Sequence, residues 1–539
     1  MVHTTFSPAA RPVFAYVRAQ MRARWLAVIL AAGVACSSKE TPSAATDAGP
    51  DVDPCAPAAL VTKYVRDGAA EATFPSGFLF GAASAGMQIE KGLTHADWYQ
   101  WANVAGKVAR GDKPDNGPDG FAHLADDVKA LTAAGANAYR FSIEWARIYP
   151  TLDAFNKNEP DRAGLDTYHA LLTALRAANI RPMVTLHHFA TPDYLDDITK
   201  PKEPQTFERP EMEAMFGEWC KRMGKEFGGE VDDWITINEP LVLMVGTYLG
   251  GAHPPGPPLD IDRMFSAAKK LIRAHVAGYR GLHEGDTVDA GTGHAAWVSI
   301  AKHNRVFVPL QQCEERDIEA AKKTDYVWNQ WMYNALVFGD WDDDLDGKLD
   351  GPNDKKGDPT LKGTVDYLGV NYYGVSTVDA KLQLKYIGGV PAYELLPTPL
   401  PKSDMNWDIY PHGLRQVLNQ LKPYKLPVMI TENGIGDSKD VNKSRYLAEH
   451  LWEVSNAIRD GVDVRGYFYW SLTDNFEWDR GFCPRFGLFQ IDYASPARSR
   501  TATRAVSLFK QIADQKKLLA TTIDALPAYS APTTCPGPR

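Results

Sequence analysis

The chain of 539 residues has no surplus of positive charge: 58 Lys and Arg stand against 67 Asp and Glu, a net charge of -9. A surface of that sign repels phosphate backbones and anionic lipid, and no local basic patch is visible, so nucleic-acid binding is excluded as a leading function. Cysteine is scarce, with 6 in the whole chain. Cys220, Cys313 and Cys483 are scattered and form no CxxC pair, which excludes a structural zinc framework and makes buried free thiols their default. Cys55 and Cys535 sit at the two ends of the folded region and could pair in an oxidising compartment. Long apolar runs are also missing. The stretch at 25–35 is followed at once by polar sequence, and a bilayer core needs about 20 helical residues. What is present is an ordinary globular balance, 44% hydrophobic and 23% charged, with 11% aromatic residues that suit either a core or stacking platforms.

The short apolar run follows Arg22 and Arg24 and precedes Cys36, the pattern of an export signal. Counted from Met21, Val34-Ala35-Cys36 resembles the end of a bacterial lipoprotein signal, whose cysteine is acylated and anchors the protein to membrane. Gly33 stands where a larger apolar residue is usual, so cleavage and secretion is the competing reading. Either way the protein is expected to be exported, to the periplasm or cell envelope or beyond, with a lipid on Cys36 as its one membrane attachment. Residues 1–36 are read as this signal, with a misassigned start before Met21. Residues 37–73 begin with a stretch rich in Ser, Thr, Ala, Pro and Asp that cannot bury enough apolar surface to fold and are read as a tether. Residues 74–515 are read as the main folded domain and 516–539 as a tail.

Within 74–515, eight β-rich runs alternate with amphipathic stretches: 78–85, 138–145, 182–188, 234–239, 288–298, 365–373, 427–432 and 464–471. Helical periodicity lies between them at 121–134, 165–178, 209–227, 261–283 and 442–460. Eight βα repeats predict an α/β fold, a single (β/α)8 TIM barrel, in which chemistry sits at the C-terminal ends of the strands. Two of those ends are glutamates. The fourth run stops at Glu239 in TINEP (236–240), and the seventh at Glu432 in ITENG (430–434). One strand-end glutamate is more often a solvated terminus than a functional group. Two of them, on strands at opposite sides of an eight-stranded barrel, face each other across its mouth. Hydrolysis of a glycosidic bond needs such a pair, an acid for the leaving oxygen and a carboxylate for the anomeric carbon.

These motifs resemble those of glycoside hydrolase family 1, the β-glucosidase and β-glycosidase family. The resemblance continues through FLFGAASAGMQIE (78–90), YRFSIEWARI (139–148), LHHF (186–189), LGVNYY (368–373) and YWSLTDNFEW (469–478). It implies that Glu239 is the acid/base and Glu432 the nucleophile of a retaining exo-β-glycosidase, most readily a β-glucosidase. Tyr373 and Arg140 would keep Glu432 ionised and aimed. Gln88, His188, Asn238 and Glu477 would bind the hydroxyls of the cleaved sugar, with Trp470 beneath its ring, Trp478 near O3 and O4, and Asn371 beside them. Trp407 in NWDIY (406–410) would form a wall for the aglycone. The implied partner is an oligosaccharide or β-glycoside, and no cofactor is needed for the reaction. A transglycosylase would share the intermediate, and a sugar-binding barrel without activity would be expected to lack one carboxylate.

The chain departs from the family pattern in three places. Phe189 stands where a Trp is frequent, Ala190-Thr-Pro192 replaces Asp-Leu-Pro, and Lys91 replaces a glycine, all expected to border the pocket and to touch substrate preference. Glu477 lies in the segment that members acting on 6-phosphosugars replace with phosphate-binding residues, so an unphosphorylated sugar is expected. Outside the resemblance, residues 340–354 are strongly acidic. Asp342, Asp344, Asp346 and Asp350 fall at positions 1, 3, 5 and 9 of a calcium-type loop with Gly347 at 6, although position 12 is Asn353 and lacks the bidentate glutamate. A structural calcium and a solvated acidic loop are the two readings of this segment.

Overall fold

The computed structural model describes residues 64–257, 259–382 and 400–538. The signal segment with Cys36, the first part of the tether and Cys55 lie outside them. Eight parallel strands close into a barrel: β1 Leu79–Ala83, β2 Ala138–Ser142, β3 Arg181–Thr185, β4 Asp233–Asn238, β5 Trp297–Pro309, β6 Leu368–Val378, β7 Val428–Asn433 and β8 Val464–Trp470, with β8 returning to pair with β1. A main helix follows each strand: α1 Leu124–Ala133, α2 Arg162–Ala177, α3 Met212–Phe227, α4 Ile261–Gly285, α5 Glu315–Asp325, α6 Pro411–Gln420, α7 Lys443–Arg459 and α8 Arg504–Gln515. This is the expected TIM barrel.

The core has two layers. Inside the barrel, side chains from all eight strands meet, among them Ala83, Ala138, Met183, Ile235, Ala301, Tyr373, Met429 and Phe468. The larger layer fills the space between strands and helices, where residues such as Trp219, Trp234, Trp331 and Trp452 are fully buried. Close fit fixes some positions. A Cβ on Gly81 would lie 2.5 Å from the ring of Phe468, so β1 needs glycine where it crosses the interior beside β8.

Two expectations change. The fifth strand is not at 288–298. Residues 288–296 form a loop in which Asp289 accepts from the N–H groups of Gly291, Thr292 and Gly293, and both glycines have positive φ. The strand runs instead over Trp297–Pro309, whose middle, Lys302-His303-Asn304-Arg305, is polar because it lines the barrel mouth and so shows no apolar run. The domain ends also move. Glu71–Thr73 pairs antiparallel with Lys517–Leu519, and a short helix, Ala520–Asp524, follows. Tyr64 and Asp67 are hydrogen-bonded to Glu453 and Trp452 on α7. The last ten residues assigned to the tether and those assigned to the tail therefore belong to the fold.

The cysteine expectations are corrected as well. Cys535 is bonded to Cys483, not held for Cys55. Cys313 is also disulfide-bonded, so of the three expected free thiols only buried Cys220 is free. Among the described residues no helix is long and apolar enough to cross a membrane.

Candidate active site

At the C-terminal end of β4 the backbone turns sharply. Glu239 adopts a left-handed conformation at φ 43°, donates its N–H to Ala301 O (2.7 Å) and precedes Pro240, which starts the helix Pro240–Val245. A non-glycine residue held there costs on the order of 1–3 kcal/mol and marks a position fixed by its surroundings. Across the mouth, β7 ends on Glu432 and Asn433. A Cβ on the next residue, Gly434, would fall 1.7 Å from Trp470 O, so only glycine lets β7 leave the barrel against β8. Register shifts at the ends of β4, β6 and β7, at Asn238, Asn371 and around Glu432, turn these side chains inward.

One hydrogen-bonded network links the two glutamates. Arg140 on β2, 1% exposed, donates through Nη1 to Glu432 Oε1 (2.6 Å) and Thr431 O (3.2 Å), through Nη2 to Asn238 Oδ1 (2.7 Å) and through Nε to Thr185 Oγ1 (3.1 Å). The Tyr373 hydroxyl donates to Glu432 Oε2 at 2.8 Å. Asn371 Nδ2 donates to Glu239 Oε1 (2.8 Å) and Asn238 Oδ1 (3.1 Å). Thr431 Oγ1 donates to Asn371 Oδ1 at 2.6 Å, which fixes the orientation of that amide.

The partners are unequal, and so are the carboxyls. Burial, and then the charge of Glu432, push Glu239 up to about 8, against smaller opposing contributions from Asn371 and Arg140. Burial raises Glu432 too, but there Arg140, Tyr373 and Asn371 all oppose it. Glu239 therefore holds a proton at neutral pH while Glu432 is the member of the pair that gives its proton up. Two groups are thus poised as an acid and a carboxylate within one hydrogen-bonded network.

They open into a cavity of about 460 Å³. Gln88, His188, Asn238, Trp407, Trp470, Glu477 and Trp478 line it with Glu239, Glu432 and Tyr373, while Arg140 and Asn371 support it from within the barrel. Gln88 Nε2 donates to Phe476 O (2.9 Å), Asn475 Oδ1 (3.1 Å) and Glu477 Oε2 (3.4 Å), leaving Gln88 Oε1 without a hydrogen bond in the protein. His188 Nε2 faces Asn238 Nδ2 at 3.2 Å, and its buried Nδ1 also makes none. Burial, then the charge of Arg140, keeps His188 neutral. Trp470 stacks parallel to His188, with centroids 5.7 Å apart. Burial and the Glu432 charge lift Glu477 to about 8, so it too carries a proton near neutrality. A buried acceptor, Gln88 Oε1, and a buried donor, His188 Nδ1, both unsatisfied beside aromatic faces, fit a polyhydroxylated ring.

The cavity also contains residues that the sequence did not single out: His253, His303, Arg305, Trp328, Met405, Asp479 and Phe486. His303 and Arg305 were hidden by the misplaced fifth strand, Trp328 lies in the helical turn Tyr326–Gln330 that follows α5, and the others lie on loops without a strand-end signature. Of the departures, Phe189 lines the cavity and packs on Trp478 and His253. Ala190-Thr-Pro192 does not line it, and Lys91 is paired with Asp119 outside it.

The acidic segment is rearranged relative to the calcium register. Asp342 and Asp344 come together with Asp354, not with Asp346 and Asp350. Asp342 accepts from Leu345 N, Gly347 N and Tyr326 OH, while Asp346 closes its own turn on Lys348 N. Without a glutamate at position 12 to draw the loop closed, Asp354 takes the converging place and accepts from Asp343 N and Gly351 N.

The family model described as glycosyl hydrolase family 1 matches residues 70–518. A β-galactosidase of Pyrococcus woesei is 30% identical over 502 residues, covering 81% of this chain and 96% of that protein. A 1,4-β-D-glucan glucohydrolase of Thermotoga neapolitana is 32% identical over 446 residues, covering 79% and 99%. Among solved structures, the family 1 β-glucosidase of Thermotoga maritima superposes with a TM-score of 0.72 at 30% identity, over 84% of this chain and 100% of that one. The same enzyme in complex with glucoimidazole also matches, with a TM-score of 0.72.

Proposed function

The chain belongs to glycosyl hydrolase family 1 and is a β-glycosidase, and from that premise we propose that it is an exported, retaining exo-β-glucosidase that removes single unphosphorylated sugars from short β-linked oligosaccharides and glycosides. The observation that carries this reading is the unequal support of the two glutamates: Arg140 and Tyr373 are both hydrogen-bonded to Glu432, and neither is bonded to Glu239.

In the first step Glu432 Oε attacks the anomeric carbon while Glu239 gives its proton to the glycosidic oxygen. The carbon–oxygen bond breaks, the aglycone leaves as an alcohol and a covalent glycosyl ester forms on Glu432. Water then enters, Glu239 takes its proton, and hydroxide replaces the ester oxygen with overall retention. Arg140 bonds both Glu432 and Asn238, and Asn238 also accepts from the Asn371 amide that is bonded to Glu239, so one short network ties the two carboxyls together, which supports the close pairing that direct attack uses. Gln88 Oε1 accepts from a sugar hydroxyl, His188 Nδ1, which carries the proton because Nε2 accepts from Asn238 Nδ2, donates to another, and Trp470 offers its face to the ring.

Glu477 and Asp479 both line the cavity, and a phosphate beside them would meet the Asp479 carboxylate in place of a cation. The names of the glucohydrolase and β-glucosidase relatives favour glucose as the sugar. The disulfides at Cys483, Cys535 and Cys313 support export, since such bonds persist in oxidising compartments.

The test is a panel of nitrophenyl β-glycosides with wild type, Glu432→Gln and Glu239→Ala. Glucoside turnover by the wild type that vanishes in Glu432→Gln supports the reading. Near-normal turnover by Glu432→Gln overturns it.

A further inference from the structure

Two loops form part of the outer wall of the cavity, and a third is hydrogen-bonded to one of them. The loop between β6 and α6 supplies Met405 and Trp407, and the loop between β8 and α8 supplies Trp478, Asp479 and Phe486. The loop between β7 and α7, which leaves directly from Glu432, runs between them. Loops are the segments that open most easily, yet the residues of these are largely buried and hold fixed ring contacts. Phe486 lies 6.2 Å from the ring of Trp407, and Trp407 5.4 Å from that of Tyr373.

The segment after the family match, residues 526–537, touches all three. Cys535, 2% exposed, is bonded to Cys483 in the β8 loop, and its carbonyl accepts from Arg480 Nη1 at 3.1 Å. Its N–H donates to Asp404 O (3.1 Å) in the β6 loop, and Thr533 N donates to Asp404 Oδ1 (2.7 Å). In the β7 loop, Lys439 Nζ donates to Ala531 O (3.0 Å), and the amide of Asn442 exchanges hydrogen bonds with the backbone of Ser530 (2.8 and 3.1 Å). Asp404 is the hub: it also donates its N–H to Gly436 O (2.8 Å) and accepts from Ser438 N (2.7 Å).

We propose that residues 526–537 are a positioning strap for the β-glycosidase reaction, which, anchored by the Cys483–Cys535 disulfide, holds Trp407, Trp478, Asp479 and Phe486 in the geometry that binds substrate. The strap touches neither carboxylate nor any of their hydrogen-bond partners on the strands. It acts on binding and not on bond cleavage. The inference rests on the cavity being the substrate site, and it makes full affinity depend on an oxidising environment.

Two variants separate the strap from general stability. Cys483→Ser/Cys535→Ser removes the anchor, and Thr533→Pro removes one N–H donor to Asp404 while keeping the disulfide. The readouts are kcat and KM on nitrophenyl β-glucoside and the Kd of glucoimidazole from tryptophan fluorescence. The expected result is that KM and Kd rise about five- to tenfold in both variants, the effect of losing preorganised wall residues, while kcat stays within about twofold. Reduction of the wild type reproduces the KM shift and adds nothing to the double variant. A folded double variant with wild-type KM and Kd overturns the strap. Should that variant not fold, unchanged constants in Thr533→Pro and in reduced wild type overturn it equally. A wild type that neither turns over the glucoside nor binds glucoimidazole defeats the site assignment itself, a different failure from an active wild type whose variants do not shift.

Discussion

Arg140 spends every nitrogen on the site. Its charge falls on Glu432, its remaining bonds lock Thr185 and Asn238, and the division of labour between the glutamates follows from where that single cation sits. The consequences can be measured. Glu432→Gln is expected to lower kcat by about 10⁴-fold or more, since the group that forms the new bond is gone. Glu239→Ala should lose about 10²–10⁴-fold on substrates with poor leaving groups. Azide should restore turnover of an activated glucoside by this variant and yield a β-glycosyl azide. Because Glu239 acts in its protonated form, kcat/KM is expected to fall as pH rises through about 8, and Glu239→Gln should lack that limb. Tyr373→Phe removes a donor that lowers Glu432, so the acid limb should move to higher pH. Glu477 gives a test in stability. Its folded value of about 8 exceeds the ordinary 4.5, so the native state holds a proton that the unfolded chain releases, and stability is lost as pH rises from about 4.5 through 8. Glu477→Gln, which needs no proton, should melt higher than wild type at pH 8.5, with a smaller difference at pH 5. Equal shifts at both pH values would contradict the assignment.

Most elements were legible because their periodicity was strong. The helices at 165–178, 209–227, 261–283 and 442–460 lie within a few residues of α2, α3, α4 and α7, and seven of the eight strands fall inside their predicted runs or within a few residues of them. The fifth was lost for a physical reason: β5 projects Lys302, His303 and Arg305 where other strands carry apolar residues, whereas the apolar residues before it belong to a glycine-rich turn. The same mechanism limited the site. Residues at strand ends, Glu239 and Glu432 first among them, could be read from the pattern, while Phe486, Met405 and His253 sit on loops whose approach depends on tertiary contacts. Spacing alone also misled in the acidic loop, where hydrogen bonds within the turn bring Asp354, not Asp350, beside Asp342. A loop that held calcium would melt higher with added calcium than with chelator, and one that did not would melt the same in both.

At the scale of the molecule, a two-stranded sheet outside the barrel joins the segments that precede β1 and follow α8. Glu71–Thr73 meets Lys517–Leu519 beside α7, and the segment beyond returns over the mouth to the Cys483–Cys535 bond. That disulfide spans a sequence separation of 52, and chain-entropy reasoning assigns such a cross-link on the order of 4 kcal/mol. Cys483→Ser/Cys535→Ser should therefore melt below wild type, checked by calorimetry without reductant, and an unchanged midpoint would show the bond to be energetically idle. The net charge of -9 and the Asp479 carboxylate in the cavity lining agree with a neutral sugar as substrate. The central claim is that the barrel sets Glu432 to form a covalent bond with that sugar while Glu239 carries the proton. It is tested most directly by incubating the enzyme with a 2-deoxy-2-fluoro-β-glucosyl fluoride, which slows breakdown of the intermediate, and mapping the labelled peptide by mass spectrometry. The account predicts one fluoroglucosyl group per chain, attached to Glu432. An active enzyme that acquires no label, or a label on any other residue, would contradict it.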